Sequence, residues 1–154
     1  MPETPRIPAA RIVVLMPTWL VDAVMATPFL RALVGLYPGA HLAAAARRLA
    51  SPVLAGLPYV QEPHVMDRGN APATVRWLRA GKFDLGVALP NAFRAAWMLY
   101  RGRVPARVGY ARDWRTPLLT HTLRPVLRSA EQAARDERKA AAIREISREM
   151  GAPV

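Results

Sequence analysis

The sequence predicts an α/β fold built on a largely parallel sheet. Three observations predict it: short runs rich in β-branched residues alternate with longer amphipathic stretches, proline and glycine punctuate the boundaries, and the first run is apolar on both faces. Residues 11–16 (Arg-Ile-Val-Val-Leu-Met) form that run, and Pro17 stops it. A strand without alternation is covered on both sides, as the central strand of a parallel sheet is.

After a tight turn, Leu20, Val24, Leu30 and Leu33 recur at near-helical spacing and predict a helix with those four inward. Thr27-Pro28 can restart it as N-cap and first-turn proline, and Pro38-Gly39 ends it. Residues 41–45, mostly alanine, read as a weak second strand, and residues 47–56 as a helix stopped by Gly56-Leu57-Pro58. Residues 60–66 hold a third strand before the turn Asp67-Arg68-Gly69-Asn70. A short helix over 74–80, with Trp77 and Leu78 inward, closes at Gly81. Residues 83–89 form a clearer strand, stopped by Pro90, and Asn91 can cap the helix from Phe93 to about Arg101. Residues 107–110 read as a fifth strand, and residues 118–123 fit neither pattern cleanly. Residues 131–150 read as a helix ended by Gly151 and Pro153.

A chain of 154 residues, 52% hydrophobic and 21% charged, is one ordinary globular domain with its own core. It has no cysteine, which excludes a disulfide scaffold and thiol chemistry and fits a reducing, cytoplasmic setting. Pro17, Asp22 and Pro28 interrupt the only long apolar region, so no transmembrane helix is expected, and residues 1–10 lack a signal-peptide core. The formal net charge is +11. Six of the 22 basic and five of the 11 acidic residues lie in 128–154, so the preceding body carries +10. A body this basic expects an anionic partner: a phosphorylated ligand, a membrane surface or nucleic acid.

Several chemistries are set aside. There is no G-x-G-x-x-G and no G-x-S-x-G, which removes the dinucleotide fingerprint and the nucleophile elbow. His41, His64 and His121 are scattered, so no metal site and no metal cofactor are expected. What remains is one carboxylate, Asp22, in the turn after the first strand, where ligands bind in open parallel sheets. Its plainer role is a helix cap. A second feature is the run from Arg94 to Arg115. Arg94, Arg101, Arg103, Arg107, Arg112 and Arg115 are interleaved there with Trp97, Tyr100, Tyr110 and Trp114. Guanidinium groups bind phosphates and carboxylates bidentately, and aromatic faces stack on sugars or bases; the plainer reading is a solvated basic face.

Pro17-Thr-Trp-Leu-Val-Asp-Ala-Val-Met-Ala-Thr-Pro28 resembles the first strand-loop-helix block of bacterial ADP-heptose:lipopolysaccharide heptosyltransferases, glycosyltransferase family nine. Ala50-Ser-Pro-Val-Leu-Ala-Gly-Leu-Pro58, Leu89-Pro-Asn-Ala-Phe-Arg-Ala-Ala96 and Pro105-Ala-Arg-Val-Gly-Tyr-Ala-Arg112 resemble further blocks of the family, in order. The resemblance covers roughly residues 10–125. It implies a Rossmann-like parallel sheet, the N-terminal half of a glycosyltransferase-B fold, whose partner half binds the ADP-sugar. It implies that Asp22 is the catalytic base of an inverting transfer, and that Thr18, Trp19, Asn91, Arg94, Tyr110 and Arg112 line the acceptor side. The implied acceptor is the anionic lipopolysaccharide inner core at the inner face of the inner membrane, with ADP-heptose as donor to the complete enzyme.

The expected organisation is a disordered lead-in at 1–10, the Rossmann-like acceptor-side domain at 11–127, and a helical tail at 128–154 leading into an absent second domain. A chain so built is expected to be inactive alone. Val21 stands where the family usually has glycine, and a β-branched residue there resists positive φ and adds bulk. The competing expectation is a non-catalytic basic module that binds acidic glycolipid or nucleic acid, although no nucleic-acid-binding motif is present.

Overall fold

The computed structural model describes residues 6–111, 114–123, 137, 138 and 141. The chain divides into two units, Met1–Arg124 and Pro125–Val154. In the second, residues 137, 138 and 141 are helical, and the rest of the helix expected over 131–150 lies outside the described residues.

The first unit is a six-stranded sheet in which every pairing is parallel. The strands are β1 (Arg11–Leu15), β2 (His41–Arg47), β3 (Glu62–Met66), β4 (Leu85–Ala88), β5 (Ala106–Tyr110) and β6 (His121–Leu123). Their spatial order is β3-β2-β1-β4-β5-β6. The chain starts in the middle, builds outward through β2 and β3, then returns to the other side of β1 with β4. This is a Rossmann-like arrangement, and its order reverses between β1 and β4, where the flanking loops diverge and leave a crevice.

The helices are α1 (Leu20–Met25), α2 (Thr27–Leu36), α3 (Ser51–Ala55), α4 (Ala71–Gly81) and α5 (Phe93–Arg101). They cover both faces. Ile12, Val14 and Met16 of the first strand segment pack with Ala44 and Ala46 against Ala23, Leu30, Leu33 and Leu54 from α1, α2 and α3. Val13 and Leu15 pack with Ala43 and Ala45 against Val75 and Leu78 of α4 and Ala95, Met98 and Leu99 of α5. Burial on both faces explains why β1 shows no alternation. It also explains the alanines of β2. Leu42 through Ala46 are all buried, and in a strand enclosed by neighbours and helices a small side chain is a packing choice rather than a weak strand signal. At the margin, β3 alternates between half-buried and exposed residues up to buried Met66, and carries Pro63 facing outward, as an edge strand tolerates.

Several boundaries differ from the sequence expectation. The second strand runs on to Arg47, so the following helix starts at Ser51 instead of residue 47. The first helix breaks at Ala26 into α1 and α2. Thr27 is the first residue of α2 rather than its N-cap. Pro28 cannot donate to the Val24 carbonyl, and the Thr27 hydroxyl does so instead, at 2.8 Å. In α1 the buried residue is Ala23, whereas Leu20 and Val24 are about half exposed. Asn91 does not cap α5: the N-cap is Ala92, with no side-chain bond. Asn70 does cap α4, its Oδ1 accepting from the Ala73 amide at 3.2 Å, and α4 therefore begins three residues earlier than expected. Residues 118–123 resolve into a 3₁₀ turn, Thr116–Leu118, and the short strand β6. No helix among the described residues is long and apolar enough to cross a membrane.

Candidate functional site

The carboxyl ends of β1, β2, β3 and β4 meet around one cavity of about 70 Å³. Met16 and Thr18 come from the end of β1 and the loop after it, Arg47 from the end of β2, and Asp67 from the turn after β3. Pro90, Ala92 and Arg94 come from the loop after β4 and the start of α5, and Thr74 from α4. The cavity therefore sits at the reversal of strand order, where an open α/β sheet offers its ligand crevice. Its volume falls far short of the ~300 Å³ at which small-molecule pockets begin. With Arg47 and Arg94 in its lining, it suits a phosphate- or carboxylate-sized anionic group.

Two guanidinium groups face this space. Arg94 also donates through Nη2 to the Arg68 carbonyl at 3.1 Å, which ties the start of α5 to the turn after β3. Asp67 is engaged by Arg48, with Nη2 to Oδ1 at 2.9 Å, in an exposed pair. Asp22 differs. It is the third residue of α1, exposed, and among the described residues it accepts no side-chain hydrogen bond and joins no ion pair. It is not a helix cap, since the N-cap of α1 is Trp19. Val21 before it is helical and exposed, so no positive φ is demanded there.

The expected acceptor residues distribute as follows. Thr18 and Arg94 line the cavity. Asn91 is exposed, between the cavity-lining Pro90 and Ala92. Trp19, 75% exposed, precedes α1, and Tyr110 ends β5 with its ring partly exposed. Arg112 lies outside the described residues. Arg47, Asp67 and Thr74 escaped the sequence reading. Arg47 did so because the strand was ended two residues too soon; the turn signal at residues 67–70 was the available pointer to Asp67.

The arginine-aromatic run does not assemble into one anion site. Arg107 donates from Nε to the Leu118 carbonyl at 2.5 Å and from Nη1 to the Val104 carbonyl at 2.8 Å, and lies 5.4 Å from the centre of the Tyr100 ring. Arg101 sits 6.0 Å from the Trp97 ring centre. Arg115 is 0% exposed and holds backbone carbonyls. A guanidinium spent on carbonyls stabilises loops and leaves little for a ligand.

His41, Arg11 and Trp77 gather around Glu62, the first residue of β3, and His64 lies two residues further along that strand. Glu62 accepts from His41 Nε2 at 2.8 Å and from Trp77 Nε1 at 2.7 Å, with Arg11 at 3.5 Å. His64 stacks on Trp77, ring centres 4.1 Å apart. Burial raises the Glu62 carboxyl, but the hydrogen bonds and charges of His41, Trp77 and Arg11 outweigh it and hold it below its ordinary 4.5. Burial holds the His64 imidazole below its ordinary 6.5, and the charges of Glu62 and Asp67 offset only part.

No protein-family model matches the chain. It is 28% identical over 116 residues to lipopolysaccharide heptosyltransferase 2 of Salmonella typhimurium and of Escherichia coli, matching 71% of this chain and 33% of theirs. It is 29% identical over 115 residues to lipooligosaccharide heptosyltransferase 2 of Haemophilus ducreyi. The solved structure of Escherichia coli ADP-heptose lipopolysaccharide heptosyltransferase II superposes with a TM-score of 0.67 at 30% identity, over 77% of this chain and 35% of that one. A family nine glycosyltransferase from Veillonella parvula shares the fold at 22% identity, with a TM-score of 0.66 over 78% of this chain and 37% of that one. The chain spans about a third of the length of the relatives it matches. Over that shared stretch the chain is heptosyltransferase-like, both in sequence and in its Rossmann-like parallel sheet.

Proposed function

We propose that this chain is the acceptor-side, base-bearing half of an inverting glycosyltransferase acting on the lipopolysaccharide core. The observation that carries the reading is Asp22. It is an exposed carboxylate, unpaired among the described residues, on the segment that leaves the central strand; that segment lines the cavity with Thr18, alongside Arg47 and Arg94, and Asp22 follows in α1 without lining the cavity itself. Asp67 lines the cavity but is engaged by Arg48, which makes it the poorer base.

In the proposed reaction an acceptor-sugar hydroxyl oxygen attacks the anomeric carbon of ADP-heptose from the face opposite the leaving group. The new carbon–oxygen bond forms as the bond to ADP breaks, and ADP leaves with the electron pair. The hydroxyl proton passes to Asp22. Arg47 and Arg94, with Thr18, receive an acidic group of the acceptor and fix the hydroxyl beside the carboxylate. The donor comes from a second domain across the cleft.

The test is heptose transfer from ADP-heptose to a heptose-acceptor inner-core lipid. The purified chain would be assayed alone, then mixed with a separately expressed donor domain of a relative. Transfer is expected only in the mixture, and Asp22→Asn should lower it by roughly 10²- to 10⁴-fold. Transfer by the chain alone would overturn the need for a second half, and full transfer by the Asp22→Asn variant would overturn the base.

A further inference from the structure

We propose that Arg115 is a positioning residue, whose buried guanidinium sets the spacing between the loop after β4 and the end of β5 and so holds Asn91, Arg94 and Tyr110 in one arrangement. The inference rests on the acceptor-side reading above for the purpose of that arrangement, and on geometry alone for the clamp.

Among the described residues Arg115 is the largest fully buried side chain, at 0% exposed. Its Nε donates to the Tyr110 carbonyl at 2.8 Å. Its Nη1 donates to the Pro90 carbonyl in a short bond, and to the Ala92 carbonyl at 3.5 Å. One planar cation thus bridges the last residue of β5 to both neighbours of Asn91. Ala92 is also the N-cap of α5, so the clamp fixes where that helix, and with it Arg94, begins.

Neighbouring residues are arranged around this cation. Trp114 adopts a left-handed backbone, φ 59, which is uncommon for a bulky residue, and it turns the chain immediately before Arg115. Gly109 leaves room for the guanidinium and for Leu119: a Cβ there would lie 3.2 Å from both Arg115 Nη2 and Leu119 Cδ1. Lysine cannot replace the fork, because a single ammonium on a flexible stem does not span carbonyls from two separate segments in fixed directions.

The test uses Arg115→Lys and Gly109→Ala in the full chain. The second variant presses on the guanidinium and on Leu119 Cδ1 without removing the charge, and it serves if the first fails to fold. Hydrogen exchange would be followed over residues 89–95 and 106–111, with β1 and β2 as internal reference. Affinity for a phosphorylated inner-core oligosaccharide would be titrated in parallel. Both variants are expected to melt cooperatively, to exchange faster in those two segments only, and to bind the oligosaccharide about tenfold more weakly. In the mixed transfer assay KM for the acceptor should rise more than kcat falls. Unchanged exchange at residues 89–95, or faster exchange spread evenly through β1 and β2, would overturn the clamp. Loosened loops with unchanged affinity and KM would overturn the positioning role. If the unaltered chain binds no oligosaccharide, the acceptor-side reading fails, and the positioning role for an acceptor fails with it; the exchange pattern still decides the clamp by itself.

Discussion

At the scale of single residues, Gly86 and Val21 show how differently two neighbours of the site are constrained. Gly86 lies in β4, opposite Val13 of β1. A Cβ there would meet Leu99 Cδ2 at 2.8 Å and Val104 Cγ1 at 3.1 Å. Gly86→Ala is therefore expected to cost about 1–3 kcal/mol, read as a lower urea midpoint at unchanged slope. Val21 is helical and exposed, so Val21→Gly is expected to lower stability by only about 0.5 kcal/mol, through helix propensity. Higher transfer by that variant in the assembled assay would trace any limit at Val21 to bulk rather than to backbone conformation. The carboxylate after the first strand was legible in the sequence because strand, proline and turn lie next to each other along the chain. The arginines were not. Sequence spacing does not say where a long side chain points, and Arg107 and Arg115 point into the protein, onto carbonyls of Val104, Leu118, Tyr110 and Pro90.

At the scale of elements, the contact between β3 and α4 carries the pH dependence. His64 is held below 6.5, so the unfolded chain takes up its proton first as pH falls. Its contribution is complete above about 6.5 and is lost below it. Glu62 is held below 4.5, so its contribution is present above that value and is lost as pH falls further. Both act in one direction. Urea midpoints are expected to be level above about pH 7 and to decline on acidification, first through His64 and then through Glu62. In His64→Phe, which keeps a ring against Trp77, the decline between pH 6.5 and 5.5 should flatten. An equally steep decline would remove His64 as its source. Element types up to β5 were readable because proline or glycine marks most of their boundaries, whereas β6, three exposed residues long, carries no such signal. Boundaries were not, where backbone bonds across the sheet decided them: β2 extends to Arg47 because Met66 pairs with it from β3, a contact no local signal announces.

At the scale of the whole molecule, the first unit leaves large apolar side chains of α1 and its borders in water. Trp19, Val21, Met25 and Phe29 are exposed on α1 and the start of α2, Met25 at 74%. Four large apolar side chains exposed within eleven residues favour association with other apolar surface. The chain by itself is expected to self-associate with rising concentration in sedimentation, and Met25→Glu to shift it toward monomer without lowering its melting temperature. Monomer at all concentrations would remove the expectation. The strand order has a consequence for how the molecule is made. β1 is synthesised first, yet one of its two flanks pairs with β4, Ile12 lying opposite Leu85. At roughly 5–20 residues per second on the ribosome, that flank waits roughly 4–15 s for its partner. Until then the most apolar strand has an open edge, and the crevice beside it has one wall. The nascent chain thus passes through a half-sheet without a site, and the site appears only when β4 and the start of α5 have emerged and docked.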